Sequence, residues 1–295
     1  MQQPVLVPLD GSDLAEQALP YARALTEPGR QLILLEIGQN SDEDLRSLER
    51  HADSNARLET AVGDPAEQIL QVAKDLGVGL IAMTTHGRGA LGRWAFGSVA
   101  DTVTRTSPVP VLVVRPREGG DGSVAAVIRR VVVPLDGSPL AEEAVPTAQF
   151  LARRLNVPVH LITAIDVTSL LPVEIVPTVA FDAALYEETV ARLTVGAEAT
   201  LTQTGERLRH EGVATTWDIL HGSPFLAIKD AVQSGDLIVM TSSGRGGAKR
   251  WLLGSVAEKL IREGPVPVVL VPAGEQHDDV PVVAKAARSG SPSSA

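Results

Sequence analysis

Two stretches hold the residues best suited to chemistry, and they are copies of one another. The first reads TTHGRGALGRWAFGSVAD from Thr84 to Asp101, the second TSSGRGGAKRWLLGSVAE from Thr241 to Glu258. The same interval of 157 residues separates Thr84 from Thr241 and Gly97 from Gly254. What recurs is Thr-x2-Gly-x9-Gly-Ser, as Thr84, Gly87, Gly97 and Ser98 and again as Thr241, Gly244, Gly254 and Ser255. The chemistry that suits this pattern is anion binding. Gly87 or Gly244, directly after a strand, lets the backbone turn with positive φ. Gly97-Ser98 or Gly254-Ser255 opens a helix, whose exposed N–H groups and dipole favour negative charge. The nine residues between fold back so that both ends meet around one anion. Arg88, Arg93, Arg245, Arg250 and Lys249 can neutralise phosphate charge. The plainer reading of the same residues is that Ser98 and Ser255 cap helices and the glycines only make turns.

A second repeated constellation is Pro-Leu-Asp-Gly-Ser, at 8–12 and 134–138. In an open parallel sheet, ligands bind beyond the carboxyl ends of the strands at a switch point. Asp10 then faces the loop at Thr84–Ser98, and Asp136 the loop at Thr241–Ser255. A carboxylate there suits a ribose hydroxyl or an adenine amino group rather than a phosphate. The structural alternative is an N-cap or Asx-turn at a strand-to-helix corner.

The elements that must position these residues follow from the hydrophobic pattern. Short continuous apolar runs, at 4–9, 31–37, 80–83 and 109–114, read as strands buried on both faces of a parallel sheet. ARLETAV at 56–62 reads as the remaining strand. LAEQALPYARAL has helical spacing, with Pro20 as a kink, and AEQILQVAKDL follows Pro65 at a helix start. A further helix begins near Ser98 and ends about Arg105. Residues 38–56 are polar and allow one short helix, around Asp42–His51. The order restarts at residue 129, with Asp10 mapping to Asp136 at an interval of 126. With an interval of 157 at the loops, the first copy is 31 residues shorter between its first and fourth strands. The deficit falls after the second strand, where the second copy has an amphipathic helix at roughly Ala183–His210. The expected architecture is α/β: two tandem open five-stranded parallel sheets with helices on both faces. The expected limits are 1–116 for the first domain, 117–128 for a linker, 129–272 for the second domain and 273–295 for a disordered tail.

Several alternatives fall away. Gly87, Gly89 and Gly92 match the dinucleotide pattern GxGxxG, but after the fourth strand rather than the first, and the second copy lacks the third glycine. No GxxxxGK[ST] occurs. With no cysteine, thiolate metal sites and cysteine nucleophiles are excluded, and the six histidines show no metal-ligand spacing. A net charge of −10 argues against nucleic acid and anionic membrane as main partners. No apolar run approaches the roughly 18 residues of a span. The first residues, MQQPVLVPLDGS, read as a strand rather than a signal peptide, which points to the cytoplasm. His86 is replaced by Ser243, and Glu36 has no acidic counterpart. No Ser/His/Asp set or carboxylate pair recurs in both copies, so the pattern is one of binding rather than catalysis. Trp94 and Trp251 recur in the loop and read as packing residues rather than base-stacking ones.

Taken together, the first strand ending in Asp-x-Ser and the spaced glycines with Gly-Ser, in order and twice, resemble two tandem universal stress protein domains. Nucleotide-binding members of that family have Gly where this chain has Thr84 and Thr241. The resemblance implies a Rossmann-like fold of the adenine nucleotide alpha hydrolase type, and a regulatory stress-response role without robust catalysis. It implies ATP, with or without Mg, as ligand. In the second domain the implied site is Pro134, Leu135, Asp136, Ile165, Met240, Thr241, Gly244, Arg245, Gly254, Ser255 and Val256. In the first, a weaker site is Pro8, Leu9, Asp10, Ile37, Met83, Thr84, Gly87, Arg88, Gly97, Ser98 and Val99. The resemblance also implies pairing of the two domains through their last strands, VPVLVV and VPVVLV, and leaves room for a homodimer. The contrasting expectation is a stress-response interaction or chaperone-like protein that binds no nucleotide and acts through dimerisation.

Overall fold

A computed structural model describes residues 3–38, 42–86, 96–116, 126–166, 183–242 and 253–273. The first half runs β1 (Val5–Leu9), α1 (Asp13–Glu16), α2 (Leu19–Leu25), β2 (Leu32–Ile37), α3 (Asp42–Glu49), β3 (Ala56–Ala61), α4 (Pro65–Asp75), β4 (Leu80–Thr84), α5 (Ser98–Thr106) and β5 (Val111–Val114). The second runs β6 (Arg130–Pro134), α6 (Pro139–Glu142), α7 (Ala144–Leu155), β7 (Val159–Ile165), α8 (Ala183–His210), β8 (Thr215–His221), α9 (Pro224–Ala231), β9 (Asp236–Thr241), α10 (Ser255–Glu263) and β10 (Val268–Val271).

The continuous apolar runs become strands because only a position buried on both faces tolerates them. Every residue of β4, β5 and β10 is buried. The strands form one sheet in the order β3-β2-β1-β4-β5-β10-β9-β6-β7-β8. Each half is the parallel five-stranded sheet expected from the sequence. The halves are continuous because β10 pairs antiparallel with β5, Val268 opposite Val113 and Leu270 opposite Val111. The outermost strands, β3 and β8, are only partly buried and carry Arg57, Glu59 and Asp218, charges that suit an exposed edge.

Each sheet face is covered by its own apolar layer. Ala15, Leu19, Leu48, Ala148, Leu151 and Leu201 bring α1, α2, α3, α7 and α8 onto one face. Ile69, Val103, Ile228 and Leu260 bring α4, α5, α9 and α10 onto the other. With aromatic content of 3%, these layers are built of Val, Leu, Ile and Ala.

The single kinked helix expected after β1 is instead two helices. Pro20 sits in the first turn of α2, where its missing N–H costs nothing, and the chain breaks at Gln17-Ala18. The same break recurs between α6 and α7, with Pro146 in the first turn of α7. The deficit of the first half is also visible. Between its second and third strands it has the eight-residue α3, where the second half has the 28-residue α8. At 1.5 Å per residue α8 is about 42 Å long, against about 23 Å for the seven residues of β7. The described side chains of its first half are exposed or half-buried; Leu201 is the first that is buried.

Candidate functional site

The strands themselves open the crevice. β1 pairs with β4 only at Val5–Leu80 and Leu6–Ile81, although both strands continue further. β6 pairs with β9 from Arg130–Asp236 to Val132–Ile238 and no further. Past those pairs the strands diverge, leaving Pro8, Leu9, Met83 and Thr84 on the two sides of one opening, and Pro134, Leu135, Met240 and Thr241 on those of the other. This is the switch point of a doubly wound sheet, since β1 continues to β2 on one side and β4 to β5 on the other.

The Asp-Gly-Ser corner at each opening is built the same way twice. Gly11 and Gly137 have φ of 72° and 78°, the left-handed region open to glycine. That turn lets Asp10 Oδ1 accept from the Ser12 N–H at 3.1 Å and its hydroxyl at 2.6 Å. Asp136 Oδ1 accepts from Ser138 in the same way, at 2.9 and 2.6 Å. Each serine hydroxyl in turn accepts from the helix behind it, Ala15 N–H at 3.2 Å and Ala141 N–H at 3.1 Å. The Asx-turn is therefore real, and it fixes each carboxylate at the mouth of its opening.

Across the opening, the second glycine of each loop closes the chain onto the strand it left. Gly97 N–H donates to the Thr85 carbonyl at 2.9 Å, and Gly254 N–H to the Ser242 carbonyl at 2.7 Å. These glycines are the N-caps of α5 and α10, with φ/ψ of −62°/141° and −62°/144°. Close approach, not φ, is what demands glycine: a Cβ on Gly97 lies 3.0 Å from the Thr85 carbonyl oxygen. Ser98 and Ser255 are not caps. They are the first helical residues, and neither helix has a side-chain cap. The first intrahelical bonds are Asp101 N–H to Gly97 O and Glu258 N–H to Gly254 O. The N–H groups of Ser98, Val99 and Ala100, and of Ser255, Val256 and Ala257, thus have no acceptor within their helices.

Thr84 stands where a nucleotide-binding loop has glycine, and its hydroxyl donates to the His86 carbonyl at 2.6 Å. It is spent on the chain's own backbone. Thr84 and Thr241 are both buried. Gly87, Arg88, Arg93, Trp94, Gly244, Arg245, Lys249, Arg250 and Trp251 lie outside the described residues. So does the tail beyond Ala273, and so do residues 117–125 of the linker.

One pairing of residues between the halves needs correction. Ile37 and Ile165, named for the two expected sites, do not occupy equivalent positions of β2 and β7. Ile37 is opposite Ala61, whereas Ala164 is opposite Leu220, and Val5–Leu32 corresponds to Val131–Val159. Ile37 therefore corresponds to Ala164, and Glu36 to Thr163. The extra residue of β7 hides this in a gapless comparison. Sequence reasoning missed the Thr85 and Ser242 carbonyls, because a backbone acceptor leaves no residue signature. It also missed the Glu36–Thr163 correspondence, which the register makes plain.

The family model for universal stress proteins matches residues 26–115 and 128–272, one match in each half. The chain belongs to the universal stress protein family. It is 27% identical over 223 residues to a universal stress protein of Mycobacterium tuberculosis, over 73% of this chain and 68% of that one. It is 32% identical over 147 residues to one of Methanocaldococcus jannaschii, over 48% of this chain and 81% of that one. Among solved structures, a putative universal stress protein of Pseudomonas aeruginosa superposes with a TM-score of 0.63 at 17% identity, over 91% of this chain and 92% of that one. One from Archaeoglobus fulgidus superposes with 0.58 at 21%, over 93% and 98%. At these identities the structures speak for the fold.

The two universal stress protein halves are not equivalent at their openings. Glu36, 6% exposed, places a carboxylate at the carboxyl end of β2, beside Leu9. Thr163, 7% exposed, places a hydroxyl at that point of β7, and this hydroxyl has no hydrogen-bond partner. Next to it Ile165 is buried and Ala164 half-buried. Among the described residues no helix is long and apolar enough to cross a membrane.

Proposed function

We propose that this universal stress protein binds an adenine nucleotide, ATP foremost, at the opening between β6 and β9. The observation that carries the reading is the start of α10: a glycine N-cap tied to the residue after β9, with three first-turn N–H groups left without intrahelical acceptors. Ser255 and Val256 would present these groups to phosphate, and Gly244 and Arg245 are the loop residues proposed to join them. Asp136, held by its Asx-turn, would take a ribose hydroxyl, with Pro134, Leu135, Met240, Thr241 and Ile165 as walls. Magnesium, if present, would ride on the phosphates. Binding, not turnover, is the proposed activity, in a regulatory stress-response role.

The first opening shares the helix start, through Gly97, Ser98 and Val99, and the corner, through Asp10. It carries a buried acidic side chain, Glu36, where the second has the Thr163 hydroxyl, and a group able to carry negative charge there suits a polyanionic ligand less well than a hydroxyl does. This asymmetry favours occupancy of the second site alone, and an interaction role for the first half. The test is calorimetric titration of the whole chain with ATP. One molecule per chain is expected, with binding abolished in Gly254→Val and retained in Gly97→Val. No heat of binding at millimolar ATP refutes the nucleotide reading and leaves the interaction reading standing.

A further inference from the structure

Where the two halves meet, basic groups from both converge beside the first loop. His86 follows β4, and its Nδ1 is hydrogen-bonded to the Thr85 hydroxyl at 2.8 Å. Its Nε2 is buried and has no hydrogen-bond partner. The Thr85 N–H donates to the Val114 carbonyl at 3.0 Å, which sets the next residue, exposed Arg115, beside His86. The third group comes from the other half. Because β10 runs antiparallel to β5, the start of β10 lies against the end of β5. Arg262, in the last turn of α10 just before β10, thereby reaches the first half's loop. Its guanidinium carbon is 5.6 Å from the centre of the Phe96 ring, one residue before the glycine that closes that loop. One Arg262 nitrogen is paired with Glu258 at 2.9 Å, while its Nε is buried with no partner.

Buried nitrogens without partners are costly, and each ordinarily has a reason. Here one is a donor, Arg262 Nε, and the other, His86 Nε2, becomes a donor when the ring is protonated; with an exposed guanidinium alongside, a negatively charged acceptor would serve all three. Burial first, then the Arg115 and Arg262 charges, hold His86 below its ordinary value of 6.5, which favours the neutral imidazole. The corresponding set in the second half keeps only the arginine. Ser243 stands for His86 and Pro272 for Arg115. Arg105, the counterpart of Arg262, is committed to Asp101 through Nε at 2.9 Å and a terminal nitrogen at 2.8 Å.

We propose that His86, Arg115 and Arg262 form a single binding site, shared by the two halves, for a tetrahedral oxyanion of the phosphate class, free or as a phosphate monoester. Arg262 donates through Nε, Arg115 closes over the exposed side, and His86 Nε2 takes up a proton and donates once the anion is in place. The site does not rest on the nucleotide reading, since its donors are side chains at the seam and not the start of α10.

Sulfate is the probe of choice, because its charge stays constant across neutral pH while phosphate's does not. The experiment follows the histidine ring resonances of the whole chain through a pH titration, with and without sulfate, alongside calorimetric binding. Sulfate is expected to raise the midpoint of one histidine, lost from the spectrum in His86→Gln, and to leave the others in place. Arg262→Gln is expected to weaken sulfate about tenfold or more. Glu258→Gln, which removes the carboxylate competing for Arg262, is expected to strengthen it, so the idea stays testable even if Arg262→Gln folds poorly. The shift of the His86 midpoint is read at the seam itself, which separates this site from the nucleotide site. An unmoved His86 midpoint at high sulfate, or wild-type affinity in both Arg262→Gln and Glu258→Gln, overturns the proposal.

Discussion

Replacing Gly254 by alanine tests the one contact on which the second opening depends. The geometry is best measured at its counterpart, where a Cβ on Gly97 meets the Thr85 carbonyl oxygen at 3.0 Å. Ordinary contact begins near 3.4 Å, so the strand end or the helix start must yield by a few tenths of an ångström. Gly254 has the same N-cap conformation and makes the same backbone hydrogen bond, at 2.7 Å against 2.9 Å, so a similar close approach is expected there. Backbone φ plays no part, because −62° suits alanine as well as glycine. The cost is therefore a strained or broken backbone hydrogen bond plus mild overpacking, together about 1–2 kcal/mol. Urea unfolding should show that loss for Gly254→Ala and a similar one for Gly97→Ala. The ligand readouts should diverge. A displaced first turn no longer points its N–H groups at phosphate, so Gly254→Ala should lose about tenfold or more in ATP affinity. Gly97→Ala should bind as the wild type does. Gly254→Ala with wild-type stability and wild-type ATP affinity would refute both the close-approach argument and the role given to α10.

Three further outcomes follow from contacts away from the openings. Arg130 donates to both carboxylate oxygens of Asp236, 4% exposed, at 2.9 and 2.6 Å, so Arg130→Met strands a buried charge. Its urea midpoint should fall by the equivalent of about 3 kcal/mol. His160 is held below its ordinary 6.5 chiefly by burial, then by the Arg130 charge. A depressed histidine adds nothing above that value; below it the unfolded chain takes up a proton that the folded chain refuses, so stability falls with pH. His160→Gln should lessen that acid-side loss, seen by comparing urea midpoints near pH 5 and 7.5, and an unchanged slope counts against the assignment. Finally, a Cβ on Gly205 in α8 would come within 2.4 Å of the Trp217 ring, which Arg209 covers at 4.4 Å. Gly205→Ala should therefore destabilise by about 1–2 kcal/mol, despite alanine's better helix propensity, in a thermal melt.

Much of this fold is legible because buried parallel strands must be continuous apolar runs, and because the pattern occurs twice. The corner at Asp10 and Asp136 was legible for the same reason: Asp-Gly-Ser permits few conformations. Other features were not, and each for a physical cause. Pro20 marks a helix start rather than a kink, a choice made by how Ala18 and Leu19 pack on β1 and not by the proline alone. Ser98 resembles a cap, but Gly97 holds the cap position because only glycine can approach the Thr85 carbonyl so closely. The one-residue shift that matches Glu36 with Thr163 depends on strand register, which hydrogen bonds to both neighbours set. The site at the seam was beyond reach, since it joins residues 86, 115 and 262 through the pairing of β5 with β10.

That pairing has a consequence for how the molecule holds together. Two separate five-stranded sheets expose four edges, and each is a template for unwanted association. Joined at β5 and β10, the chain exposes two, the polar and partly buried β3 and β8. The join is between parts of one polypeptide, so dilution does not weaken it, as it weakens contacts between separate subunits. A lone half would instead bare the apolar Val111–Val114 or Val268–Val271, so sequence drift in one half is constrained by the other. The second copy of the fold thus serves as the permanent edge cover of the first, leaving the first copy's own opening free to lose one ligand and acquire another.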